Sequence, residues 1–281
     1  MSLKKTYIIT PSWLVKSKKD YAAGLKNLAK LGFSAVNPKF PKKPLSDRAK
    51  AEQIHKAYKD KKVNFILAQR GGYSSLRILP YIDYGIIKKN KKTLAGFSDL
   101  STFLNTIYEK TGQIALHAPM VISFSNPTRL TIRSFVNAAY GFPNKKLLYD
   151  SPVKVFKSGK AAGILKGGNL MTLSSMFGTE WETKTDNSIL FLEEVDEKLY
   201  EVDRYLTQWI IAGKLKKVKG LLLGDFRGIE PEDVYRVISS QMKVKIPVMY
   251  CKNIGHVDDK LTLPVGAKVE LDTKKGTLTL K

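Results

Sequence analysis

The sequence predicts an N-terminal α/β domain with a mostly parallel sheet, followed by a β-rich C-terminal α+β domain. Three observations carry that prediction. Short apolar runs alternate with segments of helical period through the first half of the chain. The connections between them are short and are punctuated by Gly or Pro. The last stretch alternates like a β-hairpin.

Tyr7–Thr10 is an apolar strand that stops at Pro11. Tyr21, Leu25, Leu28 and Leu31 then recur at helical spacing up to Gly32. Ala35–Val36 starts a second strand, and Pro38, Pro41 and Pro44 mark a lysine-rich loop. Ser46 or Asp47 can cap a helix that runs through Tyr58. Val63–Ala68 is a third strand, followed by Arg70-Gly71-Gly72-Tyr73, a short helix from Ser75, a fourth strand at Thr93–Gly96 and a fifth at Ile114–His117. Residues 1–125 form the expected N-terminal domain. Residues 126–160, with a helix over Thr131–Tyr140 and a turn at Gly141-Phe-Pro-Asn, read as a linker. Residues 161–281 form the second domain. It has strands at Gly159–Lys166, Ser188–Leu192, Gly220–Leu223 and Pro247–Tyr250. Its helices are expected at Leu170–Phe177 (opened by Gly167-Gly168-Asn169), Tyr200–Ala212 and Glu230–Gln241, with a hairpin over Ala267–Leu280.

The 281 residues carry a net charge of +23, which invites a nucleic-acid reading. Of the 48 Lys and Arg only eight are Arg, the side chain that reads guanine edges, and the lysines spread along the whole chain. A solvated lysine-rich surface is the simpler explanation, and no nucleic-acid partner is expected. One cysteine, Cys251, requires no oxidising compartment, and three scattered histidines give no metal-ligand spacing. No metal or cofactor is expected. No apolar run is long enough to span a bilayer. Tyr7–Ser12 is too short for a signal-peptide core, so a cytoplasmic location without membrane association is expected.

Three strand ends place reactive residues where α/β folds build their sites. Gly96-Phe97-Ser98-Asp99 sits between a strand and a helix, the context of a nucleophile elbow, although Leu100 stands where the elbow has glycine. The local sequence favours Ser98 or Asp99 as a plain helix N-cap. The apolar run Ile189–Leu192 delivers Glu193 and Glu194, either of which suits a carboxylate that orients a histidine. Gly255-His256 follows a strand, and His256 can serve as general base. The rival base, His117, has the apolar neighbours of a hydrogen-bonded core histidine, and His55 lies on a charged, solvated helix. The pair Gly71-Gly72 can offer bare backbone amides to an anion but lacks the rest of a nucleotide motif.

Taken in order, these segments resemble the LD-carboxypeptidase family of serine peptidases, which includes the microcin self-immunity peptidases. The resemblance is carried by Ile8-Ile-Thr-Pro-Ser12, Arg70-Gly-Gly-Tyr-Ser-Ser-Leu-Arg77, Gly96-Phe-Ser-Asp99, His117-Ala-Pro-Met120, Gly167-Gly-Asn-Leu170, Leu190-Phe-Leu-Glu193, Asp203-Arg204, Gly255-His256 and Leu263-Pro-Val-Gly266. It implies a catalytic triad of Ser98, Glu193 and His256, with Ser98 as nucleophile, His256 as base and Glu193 as its orienting carboxylate. It implies oxyanion donors at the backbone of Asp99 and of the Gly71–Gly72 turn. Arg70, Arg77 or Arg204 would take the substrate carboxylate.

The implied fold places the serine in the first domain, Glu and His in the second, and the site at their interface in a homodimer. The implied activity is release of the terminal D-alanine from a muropeptide tetrapeptide during cell-wall recycling. A peptide-nucleotide antibiotic is the alternative substrate, and a non-catalytic basic binder of anionic polymers is the alternative function. Two positions depart from the family pattern. Ser74 stands where the family has glycine, and Glu201 where it often has arginine.

Overall fold

Strand β1 (Lys4–Ile9) ends in four buried residues, with Ile8 in one apolar core and Tyr7 and Ile9 in another. Strand β3 (Phe65–Ala68) repeats the pattern, Phe65 and Leu67 facing one core and Ile66 and Ala68 the other. Successive strand side chains point to opposite faces, so two-sided burial marks these as the central strands of a parallel sheet. The structure is a computed structural model that describes residues 3–281.

The first sheet also holds β2 (Phe33–Ala35), β4 (Thr93–Gly96) and β5 (Ala115–His117), which run parallel to β1 and β3. Helix α1 (Lys18–Lys30) is capped by Ser17 and α2 (Asp47–Lys59) by Ser46, whose hydroxyl accepts from the Ala49 amide. Two short helices, α3 (Ser75–Ile78) and α4 (Tyr84–Lys89), lead to β4, and α5 (Ser101–Thr111) follows it. The face packed by α1 is an aromatic cluster, with Phe33, Phe65 and Phe135 in mutual contact.

The second sheet has β6 (Val153–Lys157), β7 (Lys160–Asn169), β8 (Ser188–Glu194), β9 (Gly220–Phe226), β10 (Val248–Cys251), β12 (Lys268–Asp272) and β13 (Thr277–Leu280). Their order is β13-β12-β7-β8-β9-β10-β6. The four middle strands are parallel, and the flanking ones run antiparallel. Helices α7 (Leu170–Ser174), α8 (Leu199–Ile211) and α9 (Pro231–Gln241) make the connections. The expected class, a parallel α/β unit followed by a β-rich α+β unit, is the observed one, with the parallel centre of the second sheet as an added feature.

The chain divides less simply than the sequence suggests. The stretch 126–160, read as a linker, contains helix α6 (Arg129–Ala139) and the edge strand β6, which pairs with β10. Strand β7 runs through Gly167 and Gly168 to Asn169, paired with β8 and with the Asn105 side chain on the Gly167 amide and carbonyl at 3.2 and 2.9 Å, and Asn169 then caps the expected helix, its side chain accepting from the Thr172 amide at 3.0 Å. Strand β11 (Leu263–Val265) leaves the second half of the chain and pairs antiparallel with β5, placing Leu263 opposite His117. The loop 252–262 therefore spans from one sheet to the other. One apolar core continues from beneath the first sheet into the second, from Ile9 and Ile66 to Leu165, Leu190 and Leu222. Among the described residues no helix is long and apolar enough to cross a membrane.

Candidate active site

Strand β4 ends at Gly96, Phe97 stays extended, and Ser98 turns to φ +66° before a single 3-10 turn runs into α5. A non-glycine residue rarely takes that conformation, and where one does the surrounding structure must hold it. Part of the hold is Asp99. Its buried carboxylate accepts from Ser12 Oγ at 2.5 Å and from the Ser75 amide at 2.9 Å, while Ser75 Oγ donates to the Asp99 carbonyl. Burial pushes the Asp99 carboxyl up, and those hydrogen bonds oppose the shift. The N-cap reading of Ser98 and Asp99 does not survive. The residue at the α5 N-cap is Leu100, and no side chain caps that helix.

Gly71 backs the serine closely. A methyl group on it would lie 3.0 Å from Ser98 Cβ and 3.1 Å from Oγ. The next residue, Gly72, has φ +128° and lies against the Trp13 ring. Ser74 is left-handed too, at φ +97°, which explains why a glycine would suit the position. Its hydroxyl accepts from the buried Lys50 ammonium at 2.6 Å and donates to the Pro11 carbonyl at 3.3 Å, so the departure at this turn is braced from below.

Strand β8 presents its two carboxylates to different partners, as a period of two requires. Glu194 accepts from Asn169 Nδ2 at 2.8 Å and from the Met171 and Val195 amides, each at 2.9 Å. Glu193, fully buried, turns one oxygen to His256, with Oε2 2.7 Å from Nδ1. The other ring nitrogen, Nε2, lies 2.9 Å from Ser98 Oγ. Gly255, at φ +117°, makes this approach possible, because a Cβ there would sit 2.8 Å from Glu193 Oε2.

The His256 loop is clamped by charge. Lys260 Nζ donates to the Gly255 and Val257 carbonyls at 2.9 and 2.6 Å and stands 4.5 Å from the Phe97 ring centre. Arg227 Nη2 donates to the His256 carbonyl at 2.6 Å. Burial lowers Lys260 to about 8, although the Glu193 charge opposes the shift. His117 packs edge-on to Phe97 and Phe191 and is fully buried. Burial lowers it to about 4, so it stays neutral, and among the described residues neither ring nitrogen has a hydrogen-bond partner. That corrects the expectation of a hydrogen-bonded core histidine. His55, part-exposed on α2, accepts at Nε2 from the Asp83 amide at 2.9 Å.

Ser98 and His256 open into a cleft of about 400 Å³. Arg70, Gly71, Gly72 and Asp99 line it, as does Glu194. Arg77 and Arg204 do not line it. Arg77 is paired with Asp47 at 2.7 Å, and Arg204 lies over the Tyr200 ring on α8. Glu201, the other departure, accepts from the Lys198 amide at 2.8 Å and so caps α8. Sequence reasoning missed Arg227, Lys260 and Trp13. A charged residue just beyond the apolar run of β9 was the available signal for Arg227, whereas Lys260 is one lysine among many. Among the described residues no group of three His, Cys, Asp or Glu side chains is placed to hold a metal ion.

A carboxylate, an imidazole and a hydroxyl in a line, beside a glycine turn, can activate the hydroxyl as a nucleophile. Family comparison gives the same direction. The family model described as LD-carboxypeptidase N-terminal domain matches residues 7–118, and the C-terminal domain model matches residues 162–271. The chain belongs to the LD-carboxypeptidase family. It is thereby a peptide hydrolase by family.

It is 32% identical over 249 residues to a probable murein peptide carboxypeptidase of Bacillus subtilis, covering 84% of this chain and 77% of that one. It is 28% identical to the microcin C7 self-immunity protein MccF of Escherichia coli, covering 92% of this chain and 87% of the relative. A solved muramoyltetrapeptide carboxypeptidase from Oxalobacter formigenes superposes with a TM-score of 0.83 at 29% identity, covering 99% and 98% of the two chains.

Proposed function

We propose that the chain is a serine carboxypeptidase that hydrolyses an L,D-peptide bond, releasing the terminal D-alanine of a muropeptide tetrapeptide in cell-wall recycling. The observation that carries this reading is the continuous contact from Glu193 Oε2 through His256 to Ser98 Oγ, at 2.7 and 2.9 Å, on the wall of the cleft.

In this reading His256 keeps its proton on Nδ1, donated to Glu193, so the Nε2 lone pair faces the Ser98 hydroxyl. Ser98 Oγ attacks the carbonyl carbon of the scissile bond as its proton passes to Nε2. Glu193 stabilises the imidazolium that forms. The backbone amides of Asp99 and of the Gly71–Gly72 turn take the developing oxyanion, the kind of contact worth on the order of 10²–10³ in rate. Imidazolium Nε2 then protonates the leaving amine. Water, deprotonated by the same nitrogen, releases the acyl group from Ser98.

The reading is tested by release of D-alanine from L-Ala-γ-D-Glu-meso-diaminopimelate-D-Ala. Wild type is expected to release it and Ser98→Ala to fall to background. Equal release by both would remove the serine from the chemistry. The similarity to the microcin self-immunity protein favours a second substrate class for the same site. Hydrolysis of an aminoacyl sulfamoyl adenosine, with no release of D-alanine from the tetrapeptide, would select that class.

A further inference from the structure

A carboxypeptidase must tell a free terminal carboxylate from an internal peptide bond, and the chain has eight arginines with which to do so. Most are committed elsewhere. Arg77 and Arg236 are paired with Asp47 and Asp233, while Arg48, Arg133 and Arg204 lie over tyrosine rings. Only two of the eight, Arg70 and Arg227, line the cleft that holds Ser98. Arg70 is a brace. Its Nε donates to the Gly71 carbonyl at 3.1 Å and its Nη1 to the Leu14 carbonyl at 3.4 Å, beside the Trp13 ring.

Arg227 is fixed at its base and free at its tip. Its amide donates to the Glu194 carbonyl at 3.0 Å, which pins the residue to the end of β8. One guanidinium nitrogen donates to the His256 carbonyl at 2.6 Å. Among the described residues no carboxylate lies within ion-pair distance of it, and the side chain is exposed. Arg227 and His256 both border a second recess of about 260 Å³, whose lining includes Lys260 and one carboxylate, Asp258. The main cleft also carries Glu194, Asp196 and Glu197, at and just beyond the end of β8, which repel an anion. Of the two cleft guanidiniums, Arg227 is the one held by a single side-chain hydrogen bond, which leaves its other donors for a substrate carboxylate.

We infer that Arg227 binds the free C-terminal carboxylate of the substrate and so restricts cleavage to the last residue of a peptide. This rests on the peptidase reading above. The leaving nitrogen must reach His256 Nε2, and in a terminal amino acid a single carbon separates that nitrogen from the carboxylate. Arg227 lines the same cleft as His256 and Ser98, where a guanidinium can meet that carboxylate. Its planar fork suits a carboxylate better than an ammonium does.

The experiment compares two substrates, the tetrapeptide and its C-terminal amide, on the wild type, Arg227→Gln, Arg227→Lys and Arg70→Gln. The wild type is expected to prefer the acid in kcat/KM by roughly 10- to 100-fold, the range of one charge-assisted contact. In Arg227→Gln that ratio should collapse toward one, chiefly through a higher KM for the acid, and Arg227→Lys should recover part of it. A ratio that survives in Arg227→Gln would overturn the inference, as would a collapse in Arg70→Gln instead. An equal fall of kcat for both substrates in Arg227→Gln would reduce Arg227 to a support of the His256 loop. Equal cleavage of acid and amide by the wild type defeats the inference alone, whereas cleavage of neither defeats the peptidase reading beneath it.

Discussion

Ser98 and His256 come from opposite sides of the seam between the two sheets, and the two sides are held by different means. The serine turn is a matter of backbone and packing. Ser98 sits at φ +66°, Gly71 lies against its side chain, and the Asp99 carboxylate is tied to Ser12 and Ser75 inside the first domain. The histidine loop is a matter of charge. Lys260 and Arg227 donate to three consecutive carbonyls at residues 255, 256 and 257, and Glu193 holds the ring. A strained turn tolerates little added volume, while a clamped loop depends on which groups are ionised. The two halves should therefore fail under different perturbations.

The largest expected effect is on the charged side. Glu193→Gln keeps the shape but offers the imidazole an amide in place of a carboxylate, which leaves the developing imidazolium without its counter-charge. A fall in kcat on the order of 10⁴, with substrate affinity little changed, is expected by analogy with other hydroxyl–imidazole–carboxylate triads. Steady-state kinetics on the tetrapeptide measures it. A loss below tenfold would mean that Glu193 is not the orienting group.

Next comes added bulk on the packed side. In Gly71→Ala the new methyl meets Ser98 at 3.0–3.1 Å, and the turn must give way where the nucleophile and oxyanion donors need their positions. A fall in kcat of about 10²-fold is expected, the scale of a misplaced catalytic group. Unchanged kinetics would show that the turn adapts, and the contrast between the two sides would weaken.

The smallest effect is a pH response confined to the loop. Lys260 is charged below about 8 in the folded chain, against an ordinary lysine value of 10.5. It faces Glu193, Asp258, Arg227 and Asp225. As pH rises through 8 the ammonium loses its charge and its hold on the loop weakens. A several-fold drop in kcat is expected there, and Lys260→Met should lack that step while running slower throughout. Stability moves the other way. Between 8 and 10.5 the unfolded chain binds the proton that the folded chain has released, so this group's contribution to stability rises with pH. Denaturant midpoints that fell in step with activity would mean global unfolding rather than a loop effect.

The same contrast describes what the sequence reveals. The five parallel strands and helices α1, α2, α3 and α5 were legible because each is an apolar run or a helical period closed by Gly, Pro or a capping Ser, whereas the six-residue α4 was not read. Ser98, Glu193 and His256 were legible only as an ordered set of motifs, since each has a plain local reading. Strand β6 was missed because its residues are mostly exposed and include Lys154 and Lys157, an edge strand without an apolar run. The three-residue β11, with Pro264 at its centre, gave equally little signal. Lys260 could not be told from a surface lysine, because its burial arises from the loop crossing between sheets. The packing of His117 against the Phe97 and Phe191 rings is a tertiary feature that its local sequence does not carry.

The account stands on Ser98 being the residue that His256 activates. A fluorophosphonate, which is attacked by an activated serine, tests that directly when the labelled chain is digested and mapped by mass spectrometry. The prediction is one adduct on Ser98 in the wild type and its near-complete loss in His256→Ala. An unlabelled wild type, an adduct at another residue, or labelling of Ser98 at the same rate without His256 would contradict it.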